Sequence, residues 1–119
     1  MSPIPIIMDV DTGIDDAMSL MFAVRHPDID LRAVTCVVGN TGVDQVAANT
    51  RYVLDAAGAG DIPVARGSAR PMLVPPADAS HVHGPDGLGG FSRPSDRRMS
   101  PYSAVELLRR ELMAAVGTG

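Results

Sequence analysis

Apolar residues are distributed along this chain with two different periods. Three short runs rich in β-forming residues extend over Ile4 to Met8, Leu31 to Val38 and Ile62 to Ala65. The first two runs are nearly continuous rather than alternating, which is typical of strands that are buried on both faces of a parallel sheet. The pattern therefore predicts three strands in one mainly parallel sheet.

Helical spacing of apolar residues fills the segments between these runs. The first stripe ends before Pro27, because proline disfavours helical backbone in the residue that precedes it; its members are Ala17, Leu20, Met21 and Val24. The second ends at the glycine-containing segment 58–60 and comprises Val43, Val46, Ala47, Thr50, Val53, Leu54 and Ala57. The order β-α-β-α-β predicts an α/β fold, the N-terminal portion of an open, doubly wound, mainly parallel, Rossmann-like sheet with flanking helices.

A last helix is predicted from about Pro101 to Val116. It begins either with a capping box of Ser103 and Glu106, or at Ser100 with Pro101 in the first helical position. Its predicted apolar face consists of Val105, Leu108, Leu112 and Val116.

The 119 residues are enough for one small domain, and we expect residues 1–119 to form a single one. Residues 67–98 are rich in Pro, Gly, Ser and Asp and show no sustained period, so we predict a long loop at the active site. A helix followed by Gly117 would normally lead into another strand. We therefore expect the chain to be the N-terminal part of a larger domain.

Composition removes several classes of function. The net charge is −4, aromatic residues make up 3% and every basic residue is arginine, which argues against nucleic-acid binding. No apolar run approaches the roughly 20 residues of a membrane span, and the start of the chain does not resemble a signal peptide, so the expected location is the cytoplasm. The single cysteine, Cys36, lies in an apolar run and is predicted to be a buried hydrophobic residue.

Four carboxylates follow the first predicted strand within eight residues: Asp9, Asp11, Asp15 and Asp16. Like charges this close repel, and a hard cation with oxygen ligands, Ca²⁺ or Mg²⁺, relieves that repulsion. The alternative without metal makes Asp15 and Asp16 helix caps and makes Asp9 and Asp11 acceptors for loop amides. Caps explain one or two carboxylates but not four, so we favour the metal site.

Two other aspartate-rich sites fit less well. An EF-hand loop starting at Asp9 needs glycine at its sixth position and glutamate at its twelfth, where this chain has Ile14 and Leu20. A haloacid-dehalogenase-like phosphatase also begins with a strand and Asp-x-Asp, but its catalytic set includes a lysine, and this chain has none. The phosphatase stays a distant alternative.

Three motifs together resemble the inosine-uridine preferring nucleoside hydrolase family, which opens with a strand and Asp-x-Asp-Pro-Gly-x-Asp-Asp. The matching segments are Asp9-Val10-Asp11-Thr12-Gly13-Ile14-Asp15-Asp16, Val37-Val38-Gly39-Asn40, and His81-Val82-His83-Gly84 with the glycine-rich turn that follows. The first motif departs from the family only at Thr12, where proline is usual. The motifs occur in the family's order and cover nearly the whole chain.

The resemblance implies a hydrolase that cleaves the N-glycosidic bond of ribonucleosides to ribose and free base. Asp11 and Asp16 would then ligate Ca²⁺, with Asp11 also the general base toward a metal-bound water. Asp9 would support the metal site without touching the ion. Ribose would be held by Asp15 and Asn40, and His83 would lie near the nucleoside. From the sequence alone, Asn40 is nearly as well explained as a helix cap or turn residue, and His81 is better explained as an exposed loop residue than as a functional one.

Members of this family are longer than the present chain. The resemblance places two further metal ligands and a candidate acid for the leaving base downstream, so we expect these 119 residues alone to bind Ca²⁺ weakly and to hydrolyse nucleosides negligibly. The alternative function is a non-catalytic, truncated fragment that binds metal, ribose or a partner. The resemblance also suggests a homo-oligomer, a dimer or a tetramer, and leaves base preference open.

Overall fold

A computed structural model describes residues 2–39, 42–67, 87–90, 93 and 95–116. The elements alternate as predicted, and their bounds are β1 Ile4–Val10, α1 Ile14–Arg25, β2 Ile29–Cys36, α2 Val43–Ala56, β3 Val64–Arg66 and α3 Ala104–Val116. The strands form one parallel sheet in the order β1-β2-β3. Among the described residues, no helix is long and apolar enough to cross a membrane.

Helices cover both faces of the sheet, which confirms the doubly wound α/β fold. On one face, Val34 and Val64 join Leu20 of α1 and Leu54 of α2 in the larger apolar cluster. A smaller cluster on the other face joins the two strand alanines to α3 and consists of Ala33, Ala65, Ala104 and Leu107. The chain therefore builds a three-layer structure around β2.

The predicted stripe of α2 is confirmed, because all seven of its residues are buried. Helix α1 is confirmed in extent, ending at Arg25 with His26 as its C-cap. One member of its predicted stripe is wrong: Met21 is 43% exposed, whereas Ala23 is buried. Ala23 belongs to the larger apolar cluster, in which Met21 takes no part.

The predicted apolar face of α3 is wrong. Val105 and Leu112 are 77% and 58% exposed, whereas Ala104 and Leu107 are buried. The sheet presents Ala33, Ala65 and the partly buried Ile7 to this helix, and Ala104 and Leu107 pack against them. Of the two predicted starts, the one at Ser103 is confirmed: the Glu106 amide donates a hydrogen bond to Ser103 Oγ at 3.3 Å, while the Glu106 carboxylate accepts hydrogen bonds from Arg109 and Arg110.

The pairing of β1 with β2 contains an irregularity at Arg32. Ile6 pairs with Leu31 and Ile7 pairs with Ala33, so β2 carries one extra residue at this point. Such a bulge shifts the alternation of side chains by one position. As a result, both Leu31 and Val34 contribute to the larger cluster, although they are three residues apart.

Candidate functional site

The acidic segment, residues 9–16, extends from the end of β1 to the first turn of α1. Strand β1 ends at Val10, and α1 begins at Ile14 with Asp15 and Asp16 in its first turn. In open α/β sheets, ligands bind beyond the carboxyl ends of the strands, and this segment occupies that position. The N-cap of α1 is Gly13, so Asp15 and Asp16 lie beyond the cap position, in the first turn of the helix.

Asp11 and Asp16 are brought together across the turn. The Asp11 amide donates a hydrogen bond to Asp16 Oδ2 at 3.0 Å. The pKa of Asp16 is raised to about 6, first because burial desolvates its carboxylate and then because of a side-chain hydrogen bond with Asp11. The charges of Asp11 and Asp15 raise it further. The carboxyl groups of Asp11 and Asp16 are therefore close together, and that of Asp15 is near enough to affect the pKa of Asp16.

Asp9 is oriented toward the middle strand. Thr35, its register partner on β2, is fully buried and donates a hydrogen bond from Oγ1 to Asp9 Oδ1 at 2.6 Å. This bond holds the Asp9 carboxylate over β2 rather than over α1. Its position fits a supporting role, which stays a prediction.

The Asp11 side chain packs directly on Gly39, which follows β2. A β-carbon placed on Gly39 would lie 2.6 Å from Asp11 Cβ and 2.8 Å from Asp11 Cγ, well inside van der Waals contact. The absence of a side chain at position 39 therefore leaves the space in which Asp11 lies. This gives the glycine of the Val38-Gly39 motif a steric reason.

A buried polar cluster beneath the acidic segment was missed by the sequence analysis. Thr12, Asn49 and Thr50 are all fully buried, the first in the segment and the others on α2. The Thr12 and Thr50 hydroxyls are 2.7 Å apart, and Asn49 Nδ2 donates to the Thr12 carbonyl at 3.2 Å. The only signal in the sequence is that Thr50 interrupts the apolar stripe of α2 and that Asn49 adjoins it.

The donor set is chemically suited to a hard cation. Asp11 and Asp16 offer carboxylate oxygens, the ligands that Ca²⁺ and Mg²⁺ prefer, in a place where a positive charge would relieve crowding. In the described part of the chain, no group of three or more His, Cys, Asp or Glu residues could hold a metal ion. The chemistry of Asp11 and Asp16 thus suits a hard cation, and their role as metal ligands stays a prediction.

Three other predicted residues, Asn40, His81 and His83, lie outside the described residues. The same holds for most of the predicted loop 67–98. At the start of that loop, the Gly67 amide donates to the Cys36 carbonyl at 2.7 Å, so the loop leaves the sheet next to the end of β2. Cys36 itself is buried, as predicted, and burial raises the pKa of its thiol to about 11.

Comparisons with known proteins agree with the motifs. The model of the family described as "Inosine-uridine preferring nucleoside hydrolase" matches residues 6–118. The chain is 41% identical over 108 residues to the inosine-uridine preferring nucleoside hydrolase of Leishmania major, covering 89% of this chain and 34% of that protein. It is 40% identical over 113 residues to the non-specific ribonucleoside hydrolase RihC of Escherichia coli strain SE11, covering 94% and 37%.

Solved structures give the same result for the fold. The plant nucleoside hydrolase PpNRh1 superposes with a TM-score of 0.86 at 35% identity, over 94% of this chain and 36% of that structure. The chain spans about a third of the length of the curated relatives it matches. The residues matched by the family model, 6–118, include most of β1, the acidic segment and the sheet edge at which that segment lies.

Proposed function

Because the chain belongs to the inosine-uridine preferring nucleoside hydrolase family, we propose that it forms the metal- and ribose-contacting part of an enzyme that hydrolyses ribonucleosides. The observation that carries the proposal is the pairing of Asp11 with Asp16 at the carboxyl end of β1. Membership of the family removes the phosphatase as an alternative.

The reaction replaces the bond between ribose C1′ and the base nitrogen with a bond to a water oxygen. Asp11 is the proposed general base: its carboxylate takes a proton from the attacking water, and the base leaves with a proton from an acid outside the described residues. Positive charge develops on the sugar ring as the bond breaks, as in glycoside hydrolysis. The clustered carboxylates favour that charge.

Asp11 and Asp16 are the proposed protein ligands of Ca²⁺, with Mg²⁺ the less suitable ion. When bound, the ion would lower the pKa of a water and orient the ribose diol. Asp15, exposed in the first turn of α1, is proposed to accept hydrogen bonds from ribose hydroxyls. Asn40 and His83 are proposed, from the family motifs, to contact the ribose and to border the nucleoside.

The test is a ribose-release assay on a panel of purine and pyrimidine ribonucleosides, with and without a calcium chelator. It uses the protein expressed from the reading frame that contains this chain, as wild type, as Asp11→Ala and as Asp61→Ala. Asp61 is the matched control because it is an exposed aspartate before β3, at the opposite end of the sheet. We expect chelation and Asp11→Ala to abolish release while Asp61→Ala leaves it unchanged. Activity that survives both treatments would refute the proposed roles of Asp11 and the metal.

A non-catalytic, metal-binding role of the 119-residue chain is favoured by one observation. Asp11 and Asp16, the proposed ligands, would supply two carboxylates to a cation that takes six to eight oxygens, and no group of three or more His, Cys, Asp or Glu residues in the described part of the chain could hold a metal ion. We therefore expect the isolated chain to bind Ca²⁺ with a Kd on the order of 10⁻³ M. Calorimetric titration measures this value, and efficient nucleoside cleavage by the isolated chain would exclude the non-catalytic role.

A further inference from the structure

One residue of the acidic segment, Thr12, connects that segment to α2 by hydrogen bonds. Thr12 follows Asp11 directly, and although it lies in a loop between charged residues it is fully buried. Both its polar side-chain atom and its carbonyl oxygen are bonded to α2, the first to Thr50 and the second to Asn49. Asn49 is held in turn, because its Oδ1 accepts a hydrogen bond from Gln45 Nε2 at 2.8 Å.

The direction of the bond between the two threonines follows from proton counting. The Thr50 hydroxyl lies 2.8 Å from the Val46 carbonyl, which can only accept. Its single proton is used there, so its oxygen must accept the proton of Thr12 across the 2.7 Å contact. The Cys36 thiol, 3.5 Å away, is a second and weaker donor to the same oxygen. Thr12 is therefore the donor of this hydrogen bond, and Thr50 Oγ1 is its acceptor.

We propose that Thr12 is a positioning residue, whose hydroxyl and carbonyl fix Asp11 by attaching the acidic segment to α2. The Asp11 carboxylate has little freedom on its other sides. Its backbone amide is bonded to Asp16, and its side chain lies on Gly39. In the family motif this position is usually proline, which stiffens a loop by fixing φ. In this chain, the hydrogen bonds of Thr12 to α2 restrain the loop in place of the proline ring.

Three variants separate positioning from simple loss of stability. Thr12→Val keeps the branched shape and removes the hydroxyl, whereas Thr12→Ser keeps the hydroxyl. Thr50→Val leaves the Thr12 proton buried without this acceptor, so it is expected to be the more damaging of the two valine variants. Val53→Ala is the matched control, because it opens a buried position on α2 without touching the cluster.

The proposal rests on the proposed function for two of its readouts, Ca²⁺ binding and ribose release. A third readout is independent of the proposed function. The variants are made in the protein expressed from the reading frame that contains this chain. In calorimetric titration with CaCl₂ alone, we expect Thr12→Val to bind about tenfold more weakly than wild type, which corresponds to one lost hydrogen bond. We expect kcat for ribose release to fall by a similar factor with KM little changed, because misplacement of the base affects the chemical step. Thr12→Ser should restore both, and Val53→Ala should lower Tm without changing either.

The third readout is amide hydrogen exchange at Asp11, which needs neither metal nor substrate. Thr12→Val should accelerate it by about tenfold while the Leu54 amide in the middle of α2 exchanges as in wild type. If wild type releases no ribose and binds no Ca²⁺, the proposed function fails and exchange alone decides the positioning role. Unchanged exchange at Asp11 in Thr12→Val, or Ca²⁺ binding within about twofold of a wild type that binds, would overturn it.

Discussion

Replacing Gly39 by alanine would place a methyl group where the Asp11 side chain lies. The added carbon would be 2.6 Å from Asp11 Cβ and 2.8 Å from Asp11 Cγ. Carbon atoms at rest are about 3.5–4.0 Å apart, so the two groups would have to separate by about 1 Å. Asp11 is the part that can move, because it lies in the turn between β1 and α1.

Two different magnitudes follow from this displacement. Overpacking of this kind costs about 1–3 kcal/mol of stability, which leaves most small domains folded. Misplacement of a reacting group by about 1 Å lowers the rate by about 100-fold. We therefore expect Gly39→Ala to remain folded at 25 °C while kcat/KM for ribose release falls by about two orders of magnitude.

The assay compares kcat/KM and the thermal midpoint of Gly39→Ala with those of Gly42→Ala. Gly42 lies on the same connection between β2 and α2, its φ is −63°, and a β-carbon there would have nothing within 4 Å. Gly42→Ala should therefore leave the rate unchanged and change stability by less than about 1 kcal/mol, because Gly42 is the N-cap of α2 and alanine caps a helix less well than glycine, which offsets its smaller entropy in the unfolded chain. Equal rates in the two variants would refute the steric account of Asp11, and an unfolded Gly39→Ala would show that the added methyl group costs more than overpacking allows.

Three further predictions concern the rest of the chain. Since Cys36 is buried and its pKa is raised to about 11, a thiol reagent at pH 8 should label it only as fast as the chain unfolds, and immediate labelling of native protein would contradict this. The pKa of Glu106 is lowered from 4.5 to about 2, chiefly by the Arg109 hydrogen bond, so its contribution to stability is present above pH 4.5 and is lost as the pH falls to 2. Acid titration of Glu106→Gln should lack that part of the pH dependence. On α3, Leu107→Ala should cost about 2–5 kcal/mol in denaturant unfolding and Leu112→Ala less than about 0.5, and similar values would favour the face predicted from sequence.

Apolar periodicity predicted the buried face of α2 correctly and that of α3 incorrectly. Every residue of the α2 stripe is buried, because the opposite side of that helix is polar and the period selects one face. Helix α3 carries apolar residues around most of its circumference, so periodicity could not say which side meets the sheet. The outcome was decided by Ala33 and Ala65, whose small side chains admit Ala104 and Leu107.

The acidic site was predictable where its chemistry lies in adjacent residues. Asp11 and Asp16 are five positions apart, and a strand followed by a helix brings them together. The attachment of Thr12 was not predictable, because its partner Thr50 is 38 residues away and reaches it only through the packing of α2. A threonine in an apolar stripe indicates a buried hydroxyl but not the residue that it bonds.

The bulge at Arg32 explains how inward residues spaced three apart can lie on one face of a strand whose period is two. Ile29 and Leu31 pack against the larger cluster before it, and Val34 and Cys36 do so after it, so the strand changes phase at this position. Arg32 is exposed, and its replacement by alanine should change the free energy of unfolding by less than about 0.5 kcal/mol. Deleting it would leave Leu31 and Ala33 adjacent, opposite Ile6 and Ile7, so Ile29, Leu31, Val34 and Cys36 would face the larger cluster in regular alternation. The pairing of β1 with β2 therefore accommodates Arg32 as an insertion and does not require it.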